Sequence, residues 1–358
     1  MITVNNIHII SDTHFGIRSN SLEWKNIMDD FFNDWYIPYL KKNVKPNDIL
    51  IHCGDVFDNR QNINLLVLHK VMDIFQELSS ILPIYVILGN HDTYNKSSND
   101  IHSLKLLNYI KNITVIQEPE ILTLNNGKTL FMLPWRANHD VEKETIAKND
   151  SDYLFSHLDI NGFKFNPLAQ AITTANDISI FDKYKRVLNG HIHYRQTKKN
   201  ISLLGCPYQL TRGDYGNSKG VYLFNPSNND IKFIENKYSP RFIKIKLSIL
   251  LDKTYEEFQG LMKNNFVDII VTTEESTTIP LTTILDTALD YKKINIIYDD
   301  TGNDVDTMEI SEESELINFD IIDFSNKYVD KLEFSDKMKN LLKQKVQDLY
   351  NKVTKGEE

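Results

Sequence analysis

Five short apolar runs along the chain end abruptly in clusters of polar residues. Ile7 to Ile10 runs into Ser11-Asp12-Thr13-His14, Ile49 to Cys53 into Gly54-Asp55, and Ile84 to Leu88 into Gly89-Asn90-His91-Asp92. Farther on, Tyr153 to Phe155 meets Ser156-His157, and Arg186 to Leu188 meets Asn189-Gly190-His191-Ile192-His193. Runs of this length predict buried β-strands. The stretches around 22–42, 61–80 and 101–111 have helical spacing or composition, with Pro38 a kink or an end. The alternation predicts an α/β fold, in which loops beyond the carboxyl ends of separate strands converge on one site. The five polar clusters are therefore expected to be neighbours.

Near 237–241 the run Lys-Tyr-Ser-Pro-Arg reads as a boundary. Beyond it the pattern predicts strand 242–247, helix 254–264, strand 266–272, helix 281–290 and strand 294–298, a small α/β cap over 241–300. Asp299 to Asp323 holds ten acidic residues and no Lys or Arg, a solvated linker or interaction segment. Met338, Leu341, Leu342, Val346, Leu349, Tyr350 and Val353 then repeat at helical spacing, an amphipathic tail closing the region 301–358. That stripe must be covered, by its own domain or by a partner.

Charge sharpens this division. The net charge is -9, yet residues 1–240 balance 25 acidic against 25 basic side chains, so the whole excess lies beyond them. All ten histidines and both cysteines precede residue 240. Histidine-dependent chemistry is thus confined to the first region. No global positive field is available for nonspecific DNA binding, so a polyanion must be gripped locally, by metal or with a partner. The composition, 41% hydrophobic and 25% charged with 13 Gly and 10 Pro, excludes disordered and collagenous classes. The absence of a long apolar run argues against a membrane helix, and the N-terminus has no secretory pattern. Cys53 and Cys206 alone do not make a disulfide framework, which fits a reducing cytoplasm.

The polar clusters carry Asp12, His14, Asp55, Asn90, His157, His191 and His193, all oxygen or imidazole donors. Three-letter motifs are cheap: Asp100-Ile101-His102 and Asn138-His139-Asp140 duplicate two of them. Only the former copies directly follow apolar strands, and Gly89 supplies a turn that Ala137 would not. Carboxylate and amide oxygen mixed with imidazole favours Mn, Fe or Zn over Ca. Seven donors exceed one such ion and suit a pair about 3.5–4 Å apart, which activates water for in-line attack on phosphorus. His91 is left over, either to stabilise the phosphorane-like charge or to protonate the leaving group, with Asp92 holding its ring in the useful tautomer.

The ordered set Asp-x-His at 12–14, Gly-Asp-Val-Phe-Asp at 54–58, Gly-Asn-His-Asp at 89–92, His157 and Gly-His-Ile-His at 190–193 resembles the calcineurin-like metallophosphoesterase superfamily over residues 1 to about 215. The resemblance implies a four-layer sandwich of two central β-sheets flanked by helices. It implies one ion on Asp12, His14, Asp55 and His193 and another on Asp55, Asn90, His157 and His191, with Asp55 bridging. Two manganese ions are implied, magnesium being the alternative. Gly54 to Arg60, Phe155 to Gly162 and Leu204-Gly-Cys-Pro207 resemble the SbcD nuclease branch, which includes the recombination endonuclease subunits of tailed bacteriophages. A phage-type subunit, in the cytoplasm of a host cell, is the preferred version. That branch implies 3′-to-5′ exonuclease action on duplex DNA and single-strand endonuclease action. It also implies a homodimer through 61–80 and 101–111, and a tail docked on an SMC-like ATPase of the SbcC type. Two positions depart: Asp58 stands where some relatives have histidine, and Cys206 where serine is commoner.

Other readings stay open. A phosphatase or small-nucleotide phosphodiesterase would use the same metals without a DNA-sized groove, and a scaffold would have no reason to keep clustered charges that need neutralising. Asp58, Arg60, Arg195, Tyr208 and Arg212 are possible substrate contacts, with loop or core packing the alternative for Tyr208, Arg212 and Tyr215. Lys183, Lys185, Arg186, Arg195, Lys198 and Lys199 either line a phosphate track or are ordinary surface. His8, His52, His69, His102 and His139 are expected to be structural.

Overall fold

The computed structural model describes residues 1–298 apart from 96–97, 137, 168, 170, 174, 273 and 276–286, together with 339–340 and 343–345. The five junctions seen in the sequence are strands Ile7–Ile10, Ile49–His52, Ile84–Ile87, Tyr153–Ser156 and Arg186–Asn189. They divide between two six-stranded sheets. The first runs in the order Asp230–Glu235, Gly220–Asn225, Ile7–Ile10, Ile49–His52, Ile84–Ile87 and Ile113–Ile116, its last four strands parallel. The second runs Gln196–Lys198, Ile201–Leu203, Arg186–Asn189, Tyr153–Ser156, Thr129–Leu133 and Glu120–Thr123, with a parallel centre and antiparallel edges.

The two-residue period of a strand decides what each side chain meets. Ile7, Ile9, Ile49, Ile51 and Ile87 share a core with Met132, Tyr153, Phe155 and Leu188, so the sheets lie face to face. Their neighbours Ile10, Leu50 and Val86 point the other way, onto helices Leu22–Asp30, Ile37–Asn43 and Leu65–Ile81. Phe131, Leu154 and Val187 likewise face outward, against Ile146 of helix His139–Ala147. The result is an α/β sandwich of two mixed sheets flanked by helices, with a C-terminal β/α extension. Each fully buried aliphatic side chain contributes about 1.5–3 kcal/mol. The intersheet core therefore sets the distance between two families of loops.

Of the two readings of Pro38, a kink or an end, the end is excluded: a widened π-turn over Phe31–Tyr36 bonds Ile37 N–H to the Phe32 carbonyl, and Pro38 sits in the first turn of the next segment, where a missing N–H costs least. One helical expectation needs correction. In 101–111, strand Ser98–His102 precedes a 3₁₀ helix, Ser103–Tyr109, where an α-helix was expected.

Beyond Pro240 the chain begins a separate parallel sheet, Phe242–Lys246, Phe266–Val271 and Lys293–Tyr298 in that order. Helix Tyr255–Met262 carries a Thr254–Glu257 capping box. A short helix absent from the sequence reading, Leu247–Leu251, follows the first strand. Trp24 stacks at 5.8 Å on Phe266 and at 6.2 Å on Phe242, and Arg212 forks onto Asp268 at 2.7 and 3.2 Å, so the extension is held to the sandwich. Most of the expected helix 281–290 and all seven residues of the terminal stripe lie outside the described residues. Among the described residues no helix is long and apolar enough to cross a membrane.

Candidate metal centre

All five junctions open at the carboxyl ends of their strands, and the intersheet core brings those ends together. Loops 11–15 and 54–58 are zipped by backbone hydrogen bonds from Asp12, His14 and Phe15 to the carbonyls of Gly54, Asp55 and Val56. Asp12, His14, Asp55 and His191 adopt left-handed backbone conformations, with φ of 53, 45, 55 and 76°. Such conformations cost on the order of 1–3 kcal/mol each and persist where surroundings over-determine them. Close approach is part of that over-determination. A Cβ on Gly89 would lie 2.2 Å from an Asp55 oxygen, and one on Gly190 would lie 2.4 Å from the Cys53 carbonyl. Gly89 is thus required for space, since its φ is not left-handed, and the turn role expected from sequence is replaced by a packing one.

The seven expected donors meet. His14 Nε2 lies 2.9 Å from His193 Nε2 and 3.6 Å from Asp55 Oδ2; His157 Nε2 lies 3.2 Å from Asp55 Oδ2 and 2.9 Å from Asn90 Oδ1; His191 Nδ1 lies 2.8 Å from Asn90 Oδ1. Asp12 is tied in by the His191 N–H at 2.9 Å and by Ser11 Oγ at 2.5 Å. Among the described residues, ligand atoms gather within 4.8 Å in three sets: Asp12, His14 and His193; His14, Asp55 and His91; and Asp55, His157 and His191. Asp55 and His14 each belong to two of them.

The outer nitrogens decide where the lone pairs point. His157 Nδ1 faces the Cys53 carbonyl at 2.7 Å, so it carries the hydrogen and leaves Nε2 as an acceptor. His191 Nε2 faces Asp159 Oδ1 at 2.9 Å, and His14 Nδ1 lies 3.3 Å from Asp58 Oδ1. Acceptors consequently converge on a buried interior that needs positive charge. Burial opposes protonation of His14, but the Asp58 hydrogen bond and the charges of Asp55, Asp58 and Asp12 outweigh it and raise its pKa to about 9. His157 likewise rises to about 9, burial being outweighed by the charge and hydrogen bond of Asp55. Protons thus fill the place that cations would take, and the donor set fits a pair of divalent ions.

His91 and Asp92 differ from expectation in one respect. Asp92 does not hold the His91 ring: its oxygens accept the N–H groups of Gly89, Asp55, Val56 and Phe57 at 2.9–3.2 Å, bolting the second loop to the third. His91 Nδ1 instead faces the Asp58 carbonyl at 2.7 Å, and its ring stands edge-on to His14 at 4.9 Å. Burial lowers the His91 pKa, with Asp55 opposing and His14 reinforcing.

The expected substrate contacts separate. Asp58 lies against His14, and half-buried Arg60 acts on the charge of His91. Arg195 donates to the Ser218 carbonyl and covers Phe233 at 4.2 Å. Arg212 is committed to Asp268. Tyr208 is 1% exposed and donates to the Thr13 carbonyl at 2.6 Å, so it braces the first loop from the core and is not open to a nucleotide. The phosphate track also fails: Lys183, Lys185 and Arg186 lie at or before the start of strand Arg186–Asn189, opposite the site, and bind the Ile146 carbonyl, Asp152 and Asn229. Lys199 pairs with Asp182. His8, His52 and His102 have structural partners in Asp48, Thr13 and Gln117. Sequence reasoning missed Lys219, whose buried ammonium lies 2.5 Å from both Asp214 and the His193 carbonyl, and Asp159, two residues beyond His157.

The profile of the calcineurin-like phosphoesterase family matches residues 6–273. The chain belongs to this family. Within it, the phosphoesterase is 28% identical over 238 residues to exonuclease subunit 1 of Enterobacteria phage T4, covering 63% of this chain and 66% of that one. It is 26% identical over 216 residues to putative phosphoesterase 244L of Invertebrate iridescent virus 6, covering 58% and 72%. It is also 26% identical over 284 residues to the DNA double-strand break repair protein Mre11 of Methanococcus maripaludis, covering 70% and 73%. The chain thus spans just under two-thirds of the phage subunit's length. Family membership and the clustered His/Asp donors make this a metal-dependent hydrolase with a binuclear type of centre.

Proposed function

We propose that this phosphoesterase is the nuclease subunit of a DNA end-processing machine, hydrolysing phosphodiester bonds as a 3′-to-5′ exonuclease on duplex DNA and as an endonuclease on single strands. The convergence of Asp12, His14, Asp55, Asn90, His157, His191 and His193 carries the hydrolytic part. Likeness to relatives named for exonuclease action and double-strand break repair supports DNA over a small ester. Manganese or magnesium ions held by these residues would supply an activated water and neutralise phosphate charge. His91, its Nδ1 hydrogen spent on the Asp58 carbonyl, presents Nε2 to the reacting group. Burial disfavours the charged ring, with Asp55 opposing, and an arriving phosphodiester anion favours the protonated form, so the ring takes up from solvent the proton it gives to the departing oxygen.

Exposed Leu65 and Leu66 on helix Leu65–Ile81, with exposed Ile101, Leu106 and Tyr109, support a homodimer through these two segments. The apolar stripe at 338–353 supports docking on an SMC-like ATPase. The test is digestion of linear duplex and single-stranded DNA by the purified chain with manganese, with and without a candidate ATPase. Shortening of both substrates is expected. Efficient hydrolysis of small phosphate esters with DNA left intact would overturn the nuclease reading in favour of a phosphatase. Deleting 325–358 is expected to spare a small ester and abolish ATPase association; an unaffected complex would sink the tail's role.

A further inference from the structure

Asp159 comes from outside the seven-donor set, yet its carboxylate reaches into it. It accepts from His191 Nε2 at 2.9 Å, while the other nitrogen of the same ring lies 2.8 Å from Asn90 Oδ1. We infer that Asp159 is the positioning residue for His191, and that it sets the affinity of the ion His191 would hold; this rests on the binuclear reading of the site.

Three observations carry the inference. The backbone of His191 is already fixed, by its left-handed φ of 76° and by the bond from its N–H to Asp12. Only rotation of the side chain remains, and a half-turn of the ring would put carbons where its two nitrogens now lie. The Asp159 carboxylate opposes that flip, which would cost it the Nε2 hydrogen bond, and as an acceptor it selects the Nε2–H form and aims the Nδ1 lone pair at the cluster. The backbone that carries this carboxylate is itself held firmly. The Asp159 carbonyl accepts from Asn176 N and Nδ2 at 3.4 and 3.2 Å, Asn161 N–H returns to the Asn176 carbonyl at 2.9 Å, and fully buried Asn176 is held by buried Glu142. Finally, each neighbouring ring has a different anchor, the Cys53 carbonyl for His157 and Asp58 for His14. His191, like His14, relies on a carboxylate supplied by its own sheet, whereas His157 reaches a carbonyl of the other sheet. A carboxylate on the outer nitrogen also makes the inner one more basic, which strengthens its bond to a cation.

The experiment titrates the full chain with manganese chloride by calorimetry and follows the spin resonance of the bound ions. Wild type is expected to take two ions with an exchange-coupled signal. Asp159→Ala is expected to weaken one of the two ions about 100-fold and to show an isolated-ion signal where wild type is coupled; Asp159→Asn, which keeps an acceptor oxygen but not the charge, is expected to weaken it about tenfold. An Ala variant that binds both ions as wild type does, with the coupled signal intact, overturns the inference. So does equal loss of both ions in the Ala and Asn variants, because that is the mark of a collapsed turn. Should the Ala variant fail to fold by circular dichroism, the Asn variant decides, and wild-type binding there is equally fatal. A wild-type chain that binds no manganese overturns the binuclear reading itself and this inference with it, which separates the two failures.

Discussion

The two sheets bring different chemistry to the same place. Loops of the first supply both carboxylates, the amide, His14 and His91; loops of the second supply only imidazoles, His157, His191 and His193. Neither half is a binding site alone. The first concentrates negative charge that burial makes costly, and the second adds imidazole donors whose rings are oriented by the Cys53 carbonyl and Asp159. The binding geometry is therefore a property of the intersheet core, and cation affinity should rise and fall with the docking of the sheets.

Four outcomes would break or sharpen this contrast. Asp55, from the first sheet, is shared between donor sets, so Asp55→Ala should abolish detectable hydrolysis and leave neither ion bound, read by metal analysis after gel filtration. His191→Ala, from the second sheet, should lose one ion and keep the other; equal losses in the two variants would contradict the asymmetry. Next, His91→Ala should lower turnover by about 10²–10⁴-fold while both ions remain bound, measured as kcat against metal content. Loss of both ions would make His91 a ligand. Third, manganese at about 100 times its dissociation constant should stabilise the fold by about 2.7 kcal/mol per ion, seen as a rise in Tm reversed by chelator, because the ions tie the two sheets together.

The smallest effect concerns His52, on the first sheet just behind the site, where burial lowers its pKa to about 3 against the opposing charge of Asp55. The folded chain keeps this ring neutral while the unfolded chain takes up a proton near 6.5. Its contribution is complete above pH 6.5 and is lost as the pH falls from there toward 3, by up to about 1.4 kcal/mol per pH unit. Metal-free wild type should therefore lose stability faster on acidification than His52→Gln in urea titrations. Parallel slopes would mean the ring is charged in the fold.

What could be read from the sequence follows the same contrast. Five apolar runs ending in polar clusters are legible because buried strands need unbroken apolar character and the site needs polar groups directly after them. Partnerships among loop residues are not. Asp92 sits beside His91 in sequence yet turns to the N–H groups of Asp55, Val56 and Phe57, and the useful contact to His91 comes from the Asp58 backbone, which every residue type has. Lys183 to Arg186 stand only a few residues before His191, but a strand separates them and puts the cations at the wrong end. Ile101 and His102 open the stretch 101–111, whose composition suggests a helix, but the pairing of Ser98–His102 with Thr93–Asn95 makes them the end of a strand.

The glycines at 89 and 190 leave this enzyme open to a quiet kind of inactivation. A single added methyl at either would force loops apart that touch through Asp55 and Cys53, without altering any of the seven donor residues. A natural variant of that sort would pass every inspection of its ligand signature and still be catalytically silent.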